Sequence, residues 1–326
     1  MNILTCKPAC DLPVTEEEHR WLVRDIWAEE AVGVIGAEPK SYKTFLALEL
    51  AVAVASGAPC LRYFPVARSG RVLLYAAEDP LTMVRRRLEG ICAAAGLKIE
   101  GLDIQVITEP TLRLDLEPVR RSLDATVARL RPRFLILDPF VRLHRIDENV
   151  SGEVAPVLAF LRELQRRHAI AVLVVHHAKK GAGRVRAGQA LRGSSEFHAW
   201  GDSNLYLRKQ GDDTVSLTVE HRAAPSIRPL TLELATNRLG VALRIADRAA
   251  ASVEPPSSVD DRIIAALNAS QQPLSFPELR GLCRTRSTTV YERLAALTAS
   301  GRVSKSPQGY RLAASYAANG RSPDKS

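Results

Sequence analysis

The chain has 326 residues, 46% of them hydrophobic and 25% charged, the balance of an ordinary soluble globular protein with about two domains. That excludes a disordered, collagen-like or coiled-coil chain, and the longest apolar stretch, Phe45 through Ser56, is broken by Glu49 and falls short of the roughly 18 residues of a membrane span. With 45 Lys and Arg against 36 Asp and Glu the net charge is +9, and both halves share the excess, which suits a nucleic-acid partner.

Up to about residue 245 the pattern alternates strand and helix. Ala31–Ile35 reads as a strand and Ser41–Ser56 as a helix closed by Gly57. Arg71–Ala76 is a second apolar strand, after which Asp79 as N-cap and Pro80 at the first helical position open a helix that ends at Gly96. Asp103–Thr108 (strand), Glu117–Leu130 (helix), Arg133–Leu137 (strand), Glu153–His168 (helix) and Ala169–Val175 (strand) continue the alternation. Apolar strands separated by helices predict an α/β fold with a mostly parallel sheet buried on both faces. Asn204–Lys209, Thr214–Glu220, Pro229–Ala235 and Val241–Ile245 follow with short turns and read as an antiparallel extension of that sheet.

The segment 249–258, AAASVEPPSS, reads as a linker between a first domain (1–248, core about 20–245) and a small second one. Residues 259–312 read as three helices, Val259–Ala269, Phe276–Cys283 after Ser275, and Thr288–Ser300 after Ser287, followed by a hairpin around Ser306–Gly309. This looks like a winged helix, and residues 313–326 read as a frayed tail. The five cysteines are scattered and odd in number. No secretory leader pattern opens the chain, so free thiols in a cytoplasmic protein are expected.

Five segments carry chemistry. Gly36 and the loop that follows it (Ala37, Glu38, Pro39, Lys40, Ser41, Tyr42, Lys43, Thr44) lie between a strand and a helix, where backbone N–H groups and a helix N-terminus cradle phosphates. The strict P-loop pattern has glycine where Ala37 and Tyr42 stand, and Gly36 comes one residue early. RFLILDPF (133–140) ends an apolar strand in Asp138, a Walker B carboxylate that with Thr44 would serve magnesium. LLYAAEDP (73–80) places Glu78 and Asp79 at the next strand's end, and Glu78 is the candidate base because Asp79 is spent as a cap. VLVVHHAKK (172–180) ends in His176 and His177, one of which could hydrogen-bond a γ-phosphate; the sequence leaves open which. The loop 179–195 holds Lys179, Lys180, Arg184, Arg186 and Arg192 with several glycines and no acid, a composition suited to tracking a phosphate backbone.

In this order the segments resemble the RecA-like ATPases of the RepA type, the hexameric replicative helicases of plasmids, phages and mobile elements. The resemblance spans roughly residues 20–245, and RLHRIDENVSG (142–152) shares in it. It implies that the P-loop segment binds ATP with Mg2+ at Lys43, Thr44 and Asp138, that Glu78 is the base, and that His176 or His177 is the sensor. It also implies a homo-hexamer acting on single-stranded DNA, with an arginine finger donated by a neighbour, Arg222 or alternatively Arg192. In the second domain Arg286, Thr288 and Arg293 would be duplex-DNA contacts if the module reads DNA rather than docking a replication protein. Two other functions fit the same residues: a RecA-fold ATPase that loads or remodels DNA without unwinding it, and a non-enzymatic, nucleotide-sensing DNA-binding regulator, which the departures at Ala37 and Tyr42 favour.

Overall fold

The computed structural model describes residues 6–12, 20–178, 196–211, 213–237, 240–246, 259–270, 272–283 and 287–313. The chain divides into two compact units, Met1–Arg248 and Ala249–Ser326. The proposed linker, 249–258, and the tail from 314 onward lie outside the described residues.

After a 3-10 turn at Ala9–Asp11, the first unit has a short hairpin, β1 (Trp21–Val23) and β2 (Trp27–Ala28). There follow β3 (Val32–Ala37), α1 (Lys43–Ser56), β4 (Val72–Ala76), α2 (Leu81–Ala94), β5 (Ile104–Val106), α3 (Glu117–Leu130), β6 (Phe134–Asp138), α4 (Ser151–His168) and β7 (Ala171–His177). The unit closes with α5 (Glu196–Trp200), β8 (Ser203–Lys209), β9 (Thr214–His221), β10 (Leu230–Asn237) and β11 (Gly240–Ile245). Among the described residues nine strands make one sheet in the order β11-β10-β9-β8-β3-β7-β6-β4-β5.

The pairs β3–β7, β7–β6, β6–β4 and β4–β5 are parallel, as the apolar runs predict. β8 also runs parallel to β3, so the antiparallel extension begins at β9, one strand later than the sequence suggests. The reason is the chain between β7 and β8, which is long enough for a crossover.

Side chains alternate across the sheet. Ile35, Val72, Leu74, Phe134, Ile136, Leu173 and Val175 face α1 and α2, while Val32, Val34, Leu73, Leu135, Leu137, Val172 and Val174 face α3 and α4. Both faces are therefore dry, which is why the strands read as continuous apolar runs. Gly33 is required where β3 meets the start of β8, because a Cβ there would lie 1.7 Å from the Ser203 carbonyl oxygen. Gly57 ends α1 at φ +79°, accessible without strain only to glycine.

α1 buries a carboxylate. Glu49 is held by Arg62, 3.0 Å away, and by the Leu243 N–H at 3.0 Å. Burial nonetheless pushes its carboxyl up to about 7. Among the described residues no helix is long and apolar enough to cross a membrane.

The second unit contains α6 (Val259–Ala269), α7 (Phe276–Cys283), α8 (Ser287–Ala299) and the antiparallel pair β12 (Val303–Ser306) and β13 (Gly309–Leu312). Its core gathers Ile263, Leu279, Val290, Leu294, Val303 and Tyr310. Before α7, the Ser275 N–H and hydroxyl donate to the Glu278 carboxylate at 2.8 and 2.6 Å, the reach-back contact of a capping box.

Candidate active site

β3 delivers the chain to the sheet's carboxyl edge, where ligands bind in α/β folds. Gly36 and Ala37 belong to β3 and not to the loop. They pair with His176 and His177 of β7 on one side and with Tyr206 and Leu207 of β8 on the other. The loop proper is Glu38–Tyr42. Lys40 and Tyr42 both take left-handed backbone, φ 60° and 61°, so Tyr42 adopts at the start of α1 a conformation that glycine would supply at less cost. The helix consequently begins at Lys43, two residues after the Ser41 expected from the pattern.

Ser41 is buried in this loop and its Oγ has no hydrogen-bond partner among the described residues. Lys43 is 8% exposed and its ammonium folds back to donate to the Glu38 carbonyl at 2.9 Å. Burial pushes that ammonium's pKa down, while Asp138 and Glu78 push it up. The Asp138 carboxyl, also buried, is pushed up to about 6 by desolvation, against a hydrogen bond from the Thr44 hydroxyl and the charge of Lys43. Phosphate oxygens beside Lys43 would raise its pKa and a divalent cation beside Asp138 would lower the carboxyl's, so both groups suit such ligands.

The ends of β4 and β6 are zipped together. Ala76 stands opposite Asp138, and the Ala77 N–H donates to the Asp138 carbonyl at 2.8 Å. Glu78 and Asp79 therefore emerge beside Asp138. A cavity of about 150 Å³ is lined by Thr44, Ala76, Glu78, Asp79, Arg87 and Asp138. Asp79 is not the helix cap: Pro80 is the N-cap residue, α2 begins at Leu81, and the Asp79 carboxylate is taken by Arg87. Glu78 pairs with Arg142 at 3.3 Å, both well exposed.

β7 separates the two histidines. His176 is fully buried, stacked on Phe197 (centroids 4.1 Å apart) and edge-on to Phe140 (5.8 Å). His177, one residue on, points to the α1 face and is half-buried. Below them His144 Nε2 lies 3.4 Å from Glu148 Oε1. Burial pushes the Glu148 carboxyl up, but His144, His176 and His177 together hold it below the ordinary carboxylate range.

Arg222 lies just past β9, which is antiparallel to β8, so it sits at the sheet edge opposite its own P-loop. Its N–H donates to the Asp202 carbonyl at 2.9 Å, and its guanidinium lies 3.4 Å from the Asp202 carboxylate. It lines an open cleft of about 640 Å³ together with Arg20, Trp21, Arg68, Arg133 and His221.

Lys179, Lys180, Arg184, Arg186 and Arg192 lie outside the described residues, as does Arg286; Thr288 is in α8, its side chain also outside them. Arg293 is engaged by Asp260 of α6 at 2.7 Å, so the salt bridge holds a group that the sequence suggested for DNA. Arg87, Arg142 and Phe45 were not singled out from the sequence. Three successive arginines at 85–87 give no sign of which one turns inward, since that depends on how α2 lies on α1.

No group of three or more His, Cys, Asp or Glu among the described residues can hold a metal by side chains alone. Thr44 and Asp138 fit magnesium instead, which is held by one or two protein oxygens plus phosphate and water.

Two solved structures are similar to this chain. The crystal structure of the RadB recombinase matches at 19% identity over 66% of this chain and 91% of that one, with a TM-score of 0.47. A DnaB-like replicative helicase, solved with its interactions with primase, matches at 14% identity over 66% of this chain and 57% of that one, with a TM-score of 0.50. This chain thus spans little more than half of the helicase. With the sheet order, the likeness to the helicase structure shows a RecA-like α/β fold. A family model described as an AAA domain matches residues 7–183, from before β1 to beyond β7 and more than half of the chain, and the chain belongs to that family.

Proposed function

We propose that the protein is a magnesium-dependent ATPase that works on DNA as a ring of identical subunits, of the RepA-type helicase kind. The observation that carries this reading is the convergence of Lys43, Thr44, Glu78 and Asp138 at one sheet edge, three of them on one cavity. Lys43 would turn from Glu38 to the β- and γ-phosphates, with Ser41 and the loop N–H groups as further donors. Thr44 and Asp138 would hold magnesium, which when bound neutralises charge developing on the phosphate oxygens. Glu78, paired with the exposed Arg142, would orient and polarise the attacking water.

His177 is the better sensor candidate, since His176 is committed to the aromatic core. Arg222 cannot reach its own P-loop from the opposite edge, which favours its acting in a neighbour's site. The DNA part rests on the net charge of +9 and the basic segment 179–195. The helicase relative supports the motor reading through its fold. The three helices and hairpin of the second unit support a winged helix that contacts duplex DNA or a replication protein.

That Tyr42 reproduces glycine's backbone supports an active loop over a relic. The test is ATP turnover with and without single-stranded DNA, alongside light scattering with nucleotide. Magnesium-dependent turnover stimulated by DNA, by particles of about six chains, is expected. A monomer with no turnover would sink the proposal.

A further inference from the structure

The cavity beside the P-loop holds one more cation than the reaction scheme uses. Arg87 comes from the middle of α2 and lines the cavity with Thr44, Glu78, Asp79 and Asp138. Its guanidinium is ion-paired with Asp79, both side chains 23% exposed. Its other face lies on the ring of Phe45, 5.0 Å from guanidinium carbon to ring centroid. Phe45 follows Thr44 directly, and its ring in turn meets the Tyr42 ring edge-on at 6.5 Å. Tyr42, Phe45, Arg87 and Asp79 thus form one wall that starts in the P-loop and ends on the carboxylate next to Glu78.

Two adjacent carboxylates at one strand end present a chemical problem. Either could take the water, and with Asp138 nearby three negative groups face a polyanionic substrate. The wall treats the two differently. Asp79 is bound to a guanidinium that is itself fixed by an aromatic face, a contact that strengthens when partly desolvated. Glu78 has a solvent-exposed partner that is easily given up.

We propose that Arg87 is a positioning residue of the ATPase site: it withholds Asp79 from the attacking water and from the phosphates, leaving Glu78 as the acting base, and the Tyr42–Phe45 pair fixes the guanidinium in place. This rests on the ATPase reading above and assigns a purpose to the tyrosine that stands where P-loops carry glycine. A ring at position 42 supports Phe45, and Phe45 supports Arg87.

The test compares steady-state kcat and KM for ATP, with binding of a fluorescent ATP analogue, in Arg87→Gln and in Arg87→Gln/Asp79→Asn. Arg87→Gln is expected to lower kcat tenfold or more while analogue binding changes less than threefold. Removing the unpaired carboxylate in the double variant is expected to recover most of that loss. A double variant as slow as Arg87→Gln would overturn the proposal, because the guanidinium would then act on phosphate itself. An Arg87→Gln enzyme of wild-type kcat would overturn it too. If Arg87→Gln does not fold, Arg87→Lys decides. Recovery of turnover with the charge kept is expected, and a folded lysine variant slowed tenfold would overturn the pairing. Glu78→Gln in the same assay separates the two levels: its turning over at full rate removes the base assignment, whatever Arg87 does.

Discussion

Thr44, in the first turn of α1, and Asp138, at the end of β6, line one cavity, and the Thr44 hydroxyl favours the charged form of the Asp138 carboxyl. The two residues are far apart in sequence, and the parallel order β3-β7-β6-β4 brings them to one edge. That cavity is where a divalent cation would be held, since both oxygen-bearing side chains line it. Asp138→Asn is expected to abolish magnesium-dependent turnover, and Lys43→Ala to lower it by at least about 100-fold, the usual cost of losing one donor to transition-state charge. Glu78→Gln should bind nucleotide normally and lose turnover by about 10²–10⁴-fold. Turnover assays beside equilibrium binding of an ATP analogue check all three.

His176 and His177 should separate by readout. His176→Ala removes a ring stacked between Phe197 and Phe140 and is expected to cost about 2–4 kcal/mol of stability through the cavity left behind. His177→Ala should leave the melting temperature near wild type and lower DNA-stimulated turnover. The reverse pattern would assign the sensor to His176.

Glu49 makes stability depend on pH. Its folded value, about 7, lies above the ordinary 4.5, so the protonated form favours the fold. This contribution is complete below about pH 4.5 and is lost as pH rises through about 7. Arg62→Ala should therefore destabilise by about 3 kcal/mol at pH 8, where it strands a buried carboxylate, and by much less at pH 5.5. Thermal melts of wild type, Arg62→Ala and Glu49→Gln across that range test it, and Glu49→Gln should flatten the dependence.

Arg222 should act across subunits. Arg222→Ala and Lys43→Ala preparations, each inactive alone, are expected to regain part of the turnover when mixed, because a mixed interface can pair an intact P-loop with an intact arginine. No recovery on mixing stably assembled particles would assign Arg222 to its local contacts with Asp202 and Ala199.

The two basic regions should differ in character. Neutralising Lys179, Lys180, Arg184 and Arg186 together should weaken single-strand binding and flatten its log–log salt slope by about 0.7 per lost phosphate contact. Turnover without DNA should survive. Deleting residues 254–326 should spare turnover as well and remove binding to duplex DNA or to a protein partner. Loss of basal turnover in a folded truncated protein would make the second unit part of the catalytic machinery.

The strand–helix alternation was legible in the sequence because a sheet covered on both faces demands uninterrupted apolar strands, such as 134–138 and 171–175. Lys43, Thr44, Glu78 and Asp138 were legible for a related reason: each ends or follows such a strand at the carboxyl edge. The β1–β2 hairpin and α5 were not, since elements of two to five residues show no period. Nor was the direction of β8, which is fixed by its pairing with β3 and not by its own residues.

What one chain position cannot express is its partner. Asp79 before Pro80 looks like a cap until α2 brings Arg87 against it, and the two histidines are equivalent on paper until the pleat of β7 sends them to opposite faces. Tyr42 reads as damage to a P-loop, whereas in the folded protein it takes glycine's backbone and packs its ring on Phe45. The sequence by itself determined which strand-end residues reach the carboxyl edge, because periodicity and strand ends are local. Only the tertiary structure decided which of them are already engaged, because ion pairs and ring contacts form between elements whose relative placement no local pattern encodes.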